Sequence, residues 1–157
     1  MEEDLSISSP VFENGGSIPK KYTSDGENIS PPLVISGLIH DAASLVLVID
    51  DPDAATDPDG PGKTFDHWVV FNISPDTTII QENSVPYGAV IGKNGTGENT
   101  YVGPAPPNGE HRYFFKLYVL SEPLQLDENA TKSDVEKAMK GKIVSSADMI
   151  GKYQKHR

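Results

Sequence analysis

No cysteine occurs among the 157 residues, which excludes disulfides, thiolate metal sites and cysteine nucleophiles. Tryptophan occurs once, and hydrophobic residues make up only 36% of the chain. No apolar run approaches the ~18 residues of a membrane span. The start, Met1-Glu2-Glu3-Asp4, is acidic and lacks the apolar stretch of a secretory signal. The sequence therefore predicts a cytoplasmic protein with no stable membrane insertion. Positive charge is scarce too: 13 Lys and Arg face 23 Asp and Glu, for a net charge of −10. Repulsion from so acidic a body opposes nucleic acid and anionic bilayers as main partners. The one basic stretch, residues 131–157, holds seven bases and three acids and reads as solvated helix faces.

Glycine and proline are plentiful, at 14 and 13 residues, which favours many turns and many short strands. The length suits one domain spanning residues 1–157, large enough to build a core without staples. Ser44-Leu-Val-Leu-Val-Ile49 reads as a fully buried central strand, and His67-Trp-Val-Val-Phe-Asn-Ile73 as a second. Arg112 to Leu120 reads as a third, long and aromatic. Shorter strands are expected at Pro31–Ile35 and around Val11-Phe12. Ser133-Asp-Val-Glu136 has the pattern of a capping box opening a helix, with Val135, Ala138 and Met139 as its apolar stripe and Gly141 just past its end. A second short helix is expected from Ser145 or Ser146, carrying Met149, Ile150 and Tyr153. The long loops 50–66 and 74–110 are candidates for function.

Strand periodicity locates a site. Alternate residues share a sheet face, which groups Leu45, Leu47, Ile49 and Asp51. The same rule groups His67, Val69, Phe71 and Ile73, and also His111, Tyr113, Phe115, Leu117 and Val119. Asp51 ends its strand, whereas His67 and His111 begin theirs. If the first strand runs antiparallel to the other two, Asp51, His67, His111 and Tyr113 gather at one end of the sheet. An apolar floor with a few convergent polar groups is the usual form of a small-ligand site. The segment Tyr101-Val-Gly-Pro-Ala-Pro-Pro-Asn-Gly-Glu-His111 leads into that end, with Gly103 and Gly109 free to take positive φ.

The motifs Asp51-Pro-Asp53, His67-Trp68 with Asn72, and Gly103-Pro-x-Pro-Pro-x-Gly-x-His-Arg-Tyr113 occur in that order. Together they resemble the phosphatidylethanolamine-binding protein family (Raf kinase inhibitor-like proteins) in its compact bacterial and archaeal form. Phe12 to Tyr22, Ser30-Pro-Pro32, Ala138-Met139-x-Gly141 and Gly151-x-Tyr153 extend the resemblance over roughly residues 8–155. Ala55 and Ala105 depart from it, standing where relatives often have Pro and where they often have Cys or Gly. The resemblance implies a mainly β, two-sheet antiparallel fold with one or two short C-terminal helices. It also implies a pocket for small anions formed by Asp51, Asp53, His67, Gly103, Pro107, His111 and Tyr113, with no cofactor.

Donors of this kind suit phosphate, a phosphomonoester or a carboxylate. The expected role is non-enzymatic. Inhibition of a serine protease or kinase in some family lineages, and dimers among prokaryotic relatives, extend the partners implied to proteins and to a second copy. Two alternatives use the same residues. Two His and one Asp could form a facial triad for a divalent metal. A His pair beside a carboxylate could perform acid–base chemistry on a phosphoester. Neither a nucleophile elbow nor a His-Glu-x-x-His or P-loop motif is present, and the acidic stretch Asp51 to Asp59 fails the spacing of an EF-hand.

Overall fold

The computed structural model describes residues 4–37 and 41–155. Its elements are β1 (Ser6–Ser8), a 3₁₀ turn (Lys20–Tyr22), β2 (Leu33–Ser36), β3 (Ser44–Asp51), a second 3₁₀ turn (Pro52–Ala55) and β4 (Phe65–Ile73). There follow β5 (Ile79–Ile80), β6 (Val90–Ile91), β7 (Glu110–Leu120), α1 (Lys132–Met139) and β8 (Ile143–Gln154). Two antiparallel sheets result, one with the order β1-β2-β5 and one with the order β6-β4-β3-β7-β8.

All eight residues of β3 are buried because both faces of its sheet are covered. On the inner face, Leu45, Leu47 and Ile49 pack with Trp68, Val70, Phe115, Leu117 and Met149 against Ile7, Leu33, Ile35 and Ile80 of the smaller sheet. On the outer face, Val46, Val48, Val69 and Phe71 lie under Leu124, Ala130, Val135 and Met139. The last two belong to α1. A buried ion network ties α1 to this face. Asp50 Oδ2 accepts from Lys116 Nζ at 2.9 Å and Lys132 Nζ at 3.2 Å, and Lys132 also reaches Asp66 Oδ1 at 3.0 Å. Lys132, one of the bases expected to be solvated, therefore has a structural role.

Three local expectations are corrected. The helix starts two residues earlier than its sequence pattern suggested. Thr131 Oγ1 accepts from Asp134 N at 3.2 Å, and Asp134 Oδ2 accepts from Thr131 N at 3.0 Å. Gly141 follows at φ 79°, the left-handed position that ends many helices. Residues 143–154 form β8 rather than a second helix. An 11-residue β7 leaves a long row of edge N–H and C=O groups, and pairing them outweighs the weak helical spacing of Met149, Ile150 and Tyr153. The short first strand is Ser6–Ser8, not Val11-Phe12, since Pro10 has no N–H to donate. Phe12 instead packs its ring 5.5 Å from that of Phe115.

β4 departs from simple alternation twice. Its register against β3 runs Ile49↔Trp68 and then Asp50↔Asp66, so β4 carries one extra residue at His67. Leu47↔Val70 followed by Leu45↔Ile73 inserts another, at a point where Asn72 adopts φ 54°. Each bulge shifts the facing pattern by one residue. Val69 and Phe71 consequently belong to the outer core, while Trp68, Val70 and Ile73 belong to the inner one.

Candidate functional site

β3 runs antiparallel to both β4 and β7, so the end of β3 meets the starts of the other two. The bulge at His67 is what returns its ring to the face of Asp51 and Tyr113. The rings of His67 and Tyr113 meet edge-on, with centroids 5.2 Å apart, and Phe65 contacts the other side of His67 at 4.8 Å. The His111 ring lies 6.4 Å from that of Tyr113. A cavity of about 270 Å³ opens here, lined by Asp51, Phe65, His67, Gly103, Pro107 and His111, among others. Of the residues expected from sequence, these five come together around it: Asp51, His67, Gly103, Pro107 and His111.

Asp51 organises the site through both of its carboxylate oxygens. Oδ1 accepts from the N–H groups of Asp53 (2.9 Å) and Ala54 (3.2 Å), capping the turn that follows β3. Oδ2 accepts from His111 Nδ1 at 2.6 Å. The second ring nitrogen of His111, Nε2, lies 2.8 Å from Asp57 Oδ2. Carboxylates only accept, so both ring nitrogens carry protons and His111 is an imidazolium. Burial opposes that charge, but the hydrogen bonds it donates to Asp51 and Asp57 outweigh it and raise the pKa above the ordinary 6.5.

His67 is the opposite case. Its Nδ1 donates to Val102 O at 2.6 Å, since a carbonyl can only accept. Burial lowers its pKa below 6.5, although the Val102 carbonyl and the charge of Asp51 pull the other way. The ring is therefore neutral at neutral pH, with a bare lone pair on Nε2 and no protein partner for it among the described residues. Tyr113 packs against His67 without lining the cavity, and its Oη is buried with no hydrogen-bond partner among the described residues. Burial, together with the charge of Asp51, holds that phenol protonated well above its usual range.

Asp53 lies off the cavity lining, and Gly103 lines it in a different way than the sequence suggests. Asp53 faces away from the cavity and grips Arg112. Its Oδ2 accepts from Arg112 N (2.8 Å) and Nε (3.0 Å), and its Oδ1 from Nη2 (2.9 Å). The Arg112 guanidinium holds the Asp53 carboxyl below the usual carboxylate range. This pairing pins the turn after β3 onto β7. Gly103 lines the cavity, but not by offering its N–H or by taking positive φ. Its N–H donates to Asn28 Oδ1 at 2.7 Å. A Cβ there would sit 2.5 Å from Asn28 Oδ1 and 2.6 Å from Tyr22 O, so close approach is what demands glycine. Gly109 does take positive φ, at 64°.

Sequence reasoning missed Asp57, Asn108 and Phe65. Asp57 falls in the acidic stretch Asp51 to Asp59, which the sequence leaves without a ligand, yet its side chain is 2% exposed. The hydrogen bond from the Asn108 side chain does most to lower its pKa, to about 2. The only available signal was a second Asp-Pro pair, Asp57-Pro58, after Asp51-Pro52.

A two-sheet β fold with a His- and Asp-lined cavity at one sheet end defines a class, and comparison with known proteins identifies it. The family model for phosphatidylethanolamine-binding protein matches residues 8–154. A UPF0098 protein of Methanothermobacter thermautotrophicus is 46% identical over 156 residues, covering 96% of this chain and 99% of its own. The crystal structure of the phosphatidylethanolamine-binding protein homolog CT736 from Chlamydia trachomatis superposes with a TM-score of 0.89 at 39% identity, covering 98% of this chain and 99% of that one. YbcL of E. coli gives a TM-score of 0.87 at 25% identity, with 98% and 100% covered. Carboxypeptidase Y inhibitor, solved with its cognate proteinase, shares the fold at a TM-score of 0.61 and 19% identity, over 99% of this chain and 84% of its own. The chain belongs to the phosphatidylethanolamine-binding protein family, in its bacterial and archaeal form. Among the described residues, no helix is long and apolar enough to cross a membrane.

Proposed function

We propose that this chain is a non-enzymatic binding protein that takes a small anion, such as phosphate, a phosphomonoester or a carboxylate, into the cavity beside His67. The observation that carries the reading is a His67 Nε2 on the cavity wall with no partner among the described residues, in a ring packed against that of Tyr113, whose buried Oη also lacks a partner among them. An oxyanion satisfies both groups. It draws a proton onto His67 Nε2, which then donates, and it accepts from the Tyr113 hydroxyl. Asp51 does not repel the anion at full strength because the His111 imidazolium neutralises it at 2.6 Å.

Several features favour binding over catalysis. Both nitrogens of His111 are engaged with carboxylates, which leaves it neither a lone pair for a metal nor a proton position for acid–base work. Among the described residues no cluster of three His, Asp or Glu has the geometry to hold a metal ion. Calorimetric titration with sulfate tests the reading, since sulfate keeps its charge across the useful pH range. Millimolar or tighter binding that is weakened in both His67→Gln and Tyr113→Phe supports it; no heat of binding up to molar sulfate overturns it.

A protein partner is the second half of the proposal, supported by the shared fold of carboxypeptidase Y inhibitor with its proteinase. The exposed loops 56–64 and 82–100 are the surfaces such a partner would meet. A panel of serine proteases and kinases assayed with and without the chain tests this half. A cytoplasmic location and a homodimer complete the proposal and are read by cell fractionation and by gel filtration.

A further inference from the structure

The Asp57 carboxylate is one of the most fully engaged groups in the molecule. Its Oδ2 lies 2.8 Å from His111 Nε2 and accepts from Asn108 N at 3.1 Å. Its Oδ1 accepts from Asn108 Nδ2 at 2.7 Å and from Asp59 N at 3.0 Å. One ring N–H, one side-chain amide and two backbone N–H groups make up a donor set that suits a bound oxyanion. Asp57 thus sits where an anion on His111 would sit.

Its position in space fits the same idea. His111 borders both the main cavity and a shallower depression of about 220 Å³ lined by Asp53, Asp57 and Asn108. Asp57 lines the depression and not the main cavity, and meets the latter only through His111. Apart from these contacts, the segment that carries Asp57 is held by backbone hydrogen bonds within the loop and by Asn108 Nδ2, which also donates to Asp59 Oδ2 at 2.7 Å. Thr56, Pro58, Asp59, Pro61, Gly62 and Lys63 are all exposed, and none of residues 56–63 belongs to either core. Exposed segments with few buried apolar contacts open at low free-energy cost.

We propose that Asp57 is a built-in competitor for the anion site: its carboxylate occupies the His111 donor, and ligand affinity is set by how readily the 56–60 segment releases it. The proposal rests on the anion-binding reading above. When Asp57 leaves, His111 keeps its charge through Asp51, and the ligand gains a full imidazolium donor beside His67. The strand-borne donors then form one wider site. A ligand large enough to contact a partner or to carry its own anionic arm would displace Asp57 more readily than a small inorganic ion.

Calorimetry with sulfate at pH 6.5 and constant ionic strength, on the full chain, tests the idea with three variants. Asp57→Ala frees His111 and should bind sulfate about tenfold more tightly, the value of one charge-assisted hydrogen bond. Asp59→Ala removes an equal charge that lines the main cavity and touches Asn108 but not His111, and should gain about threefold at most. Asn108→Ala changes no charge but loosens Asp57 and should gain several-fold, so it decides the matter if Asp57→Ala fails to fold. Equal gains in Asp57→Ala and Asp59→Ala would show a general charge effect and overturn the proposal. Wild-type sulfate binding that Asp57→Ala and Asn108→Ala leave unchanged would overturn the proposal while the anion reading stands. No sulfate binding in any of the proteins would end both.

Discussion

Asp51 Oδ2 and His111 Nδ1 lie 2.6 Å apart, and 60 residues of chain separate them. The contact joins the last residue of β3 to the second residue of β7, and Asp51 caps the following turn with its other oxygen. One carboxylate therefore sets the course of the loop over the cavity and the charge of the histidine beside it.

Asp51→Ala should be strongly destabilising for that reason. It removes a turn cap and leaves a buried imidazolium with one partner instead of two. The expected loss is about 3–5 kcal/mol, the range for breaking a buried ion pair. Urea unfolding at pH 7 measures it; a loss under about 1 kcal/mol would mean that the pair is structurally idle.

The charge of His111 also gives stability a pH dependence. Its folded pKa is raised above the ordinary 6.5. Its contribution is therefore complete below 6.5 and is lost as pH rises through the higher folded value. His67 has the opposite sign. Its folded pKa is lowered, so its contribution is present above 6.5 and is lost as pH falls through the lower folded value. Stability should peak between these two folded values. Melting curves of His111→Asn should lose the alkaline decline while keeping the acid one, and an unchanged alkaline limb would contradict this assignment.

Gly103→Ala should disturb the cavity rim without altering any charge. The added Cβ would meet Asn28 Oδ1 at 2.5 Å and Tyr22 O at 2.6 Å, and backbone cannot yield as a flexible side chain does. The expected cost is about 1–3 kcal/mol. Thermal unfolding checks it, and a variant as stable as the parent would show that the rim has slack.

Much of this architecture was legible before the structure. β3, β4 and β7 follow from runs of β-branched and aromatic residues, and the gathering of Asp51, His67, His111 and Tyr113 follows from their places at strand ends. The alternation used to reach that conclusion holds in β3 and for the inward-facing residues of β7, but fails within β4. A bulge is one extra residue with no strong signature of its own, so the pattern could not show that Val69 and Phe71 face α1. Nor could it show that His67 owes its position to the bulge. β8 was missed because its burial comes from pairing with β7, a long-range effect that local spacing does not carry. Asp53 and Asp57 exchanged roles for a similar reason. The distant Arg112 claimed the first and Asn108 with His111 the second, and none of these contacts is visible in an acidic loop read alone.

The direct test of the account is sulfate binding at pH 6 and pH 8 in wild type and His67→Gln, at constant ionic strength. Free His67 titrates below 6.5 because burial disfavours its charge. A bound oxyanion raises that value, so binding takes up a proton throughout the interval between the free and the bound pKa. Within that interval each unit of falling pH tightens binding by up to about tenfold, and the gain levels off below the free pKa. His111 contributes less to the difference because its two carboxylates already hold its proton. Sulfate should bind more tightly at pH 6 than at pH 8 in wild type, with little difference in His67→Gln. Equal wild-type affinity at the two pH values, or a pH effect that survives in His67→Gln, would contradict the claim that His67 is the proton-coupled anion donor of this cavity.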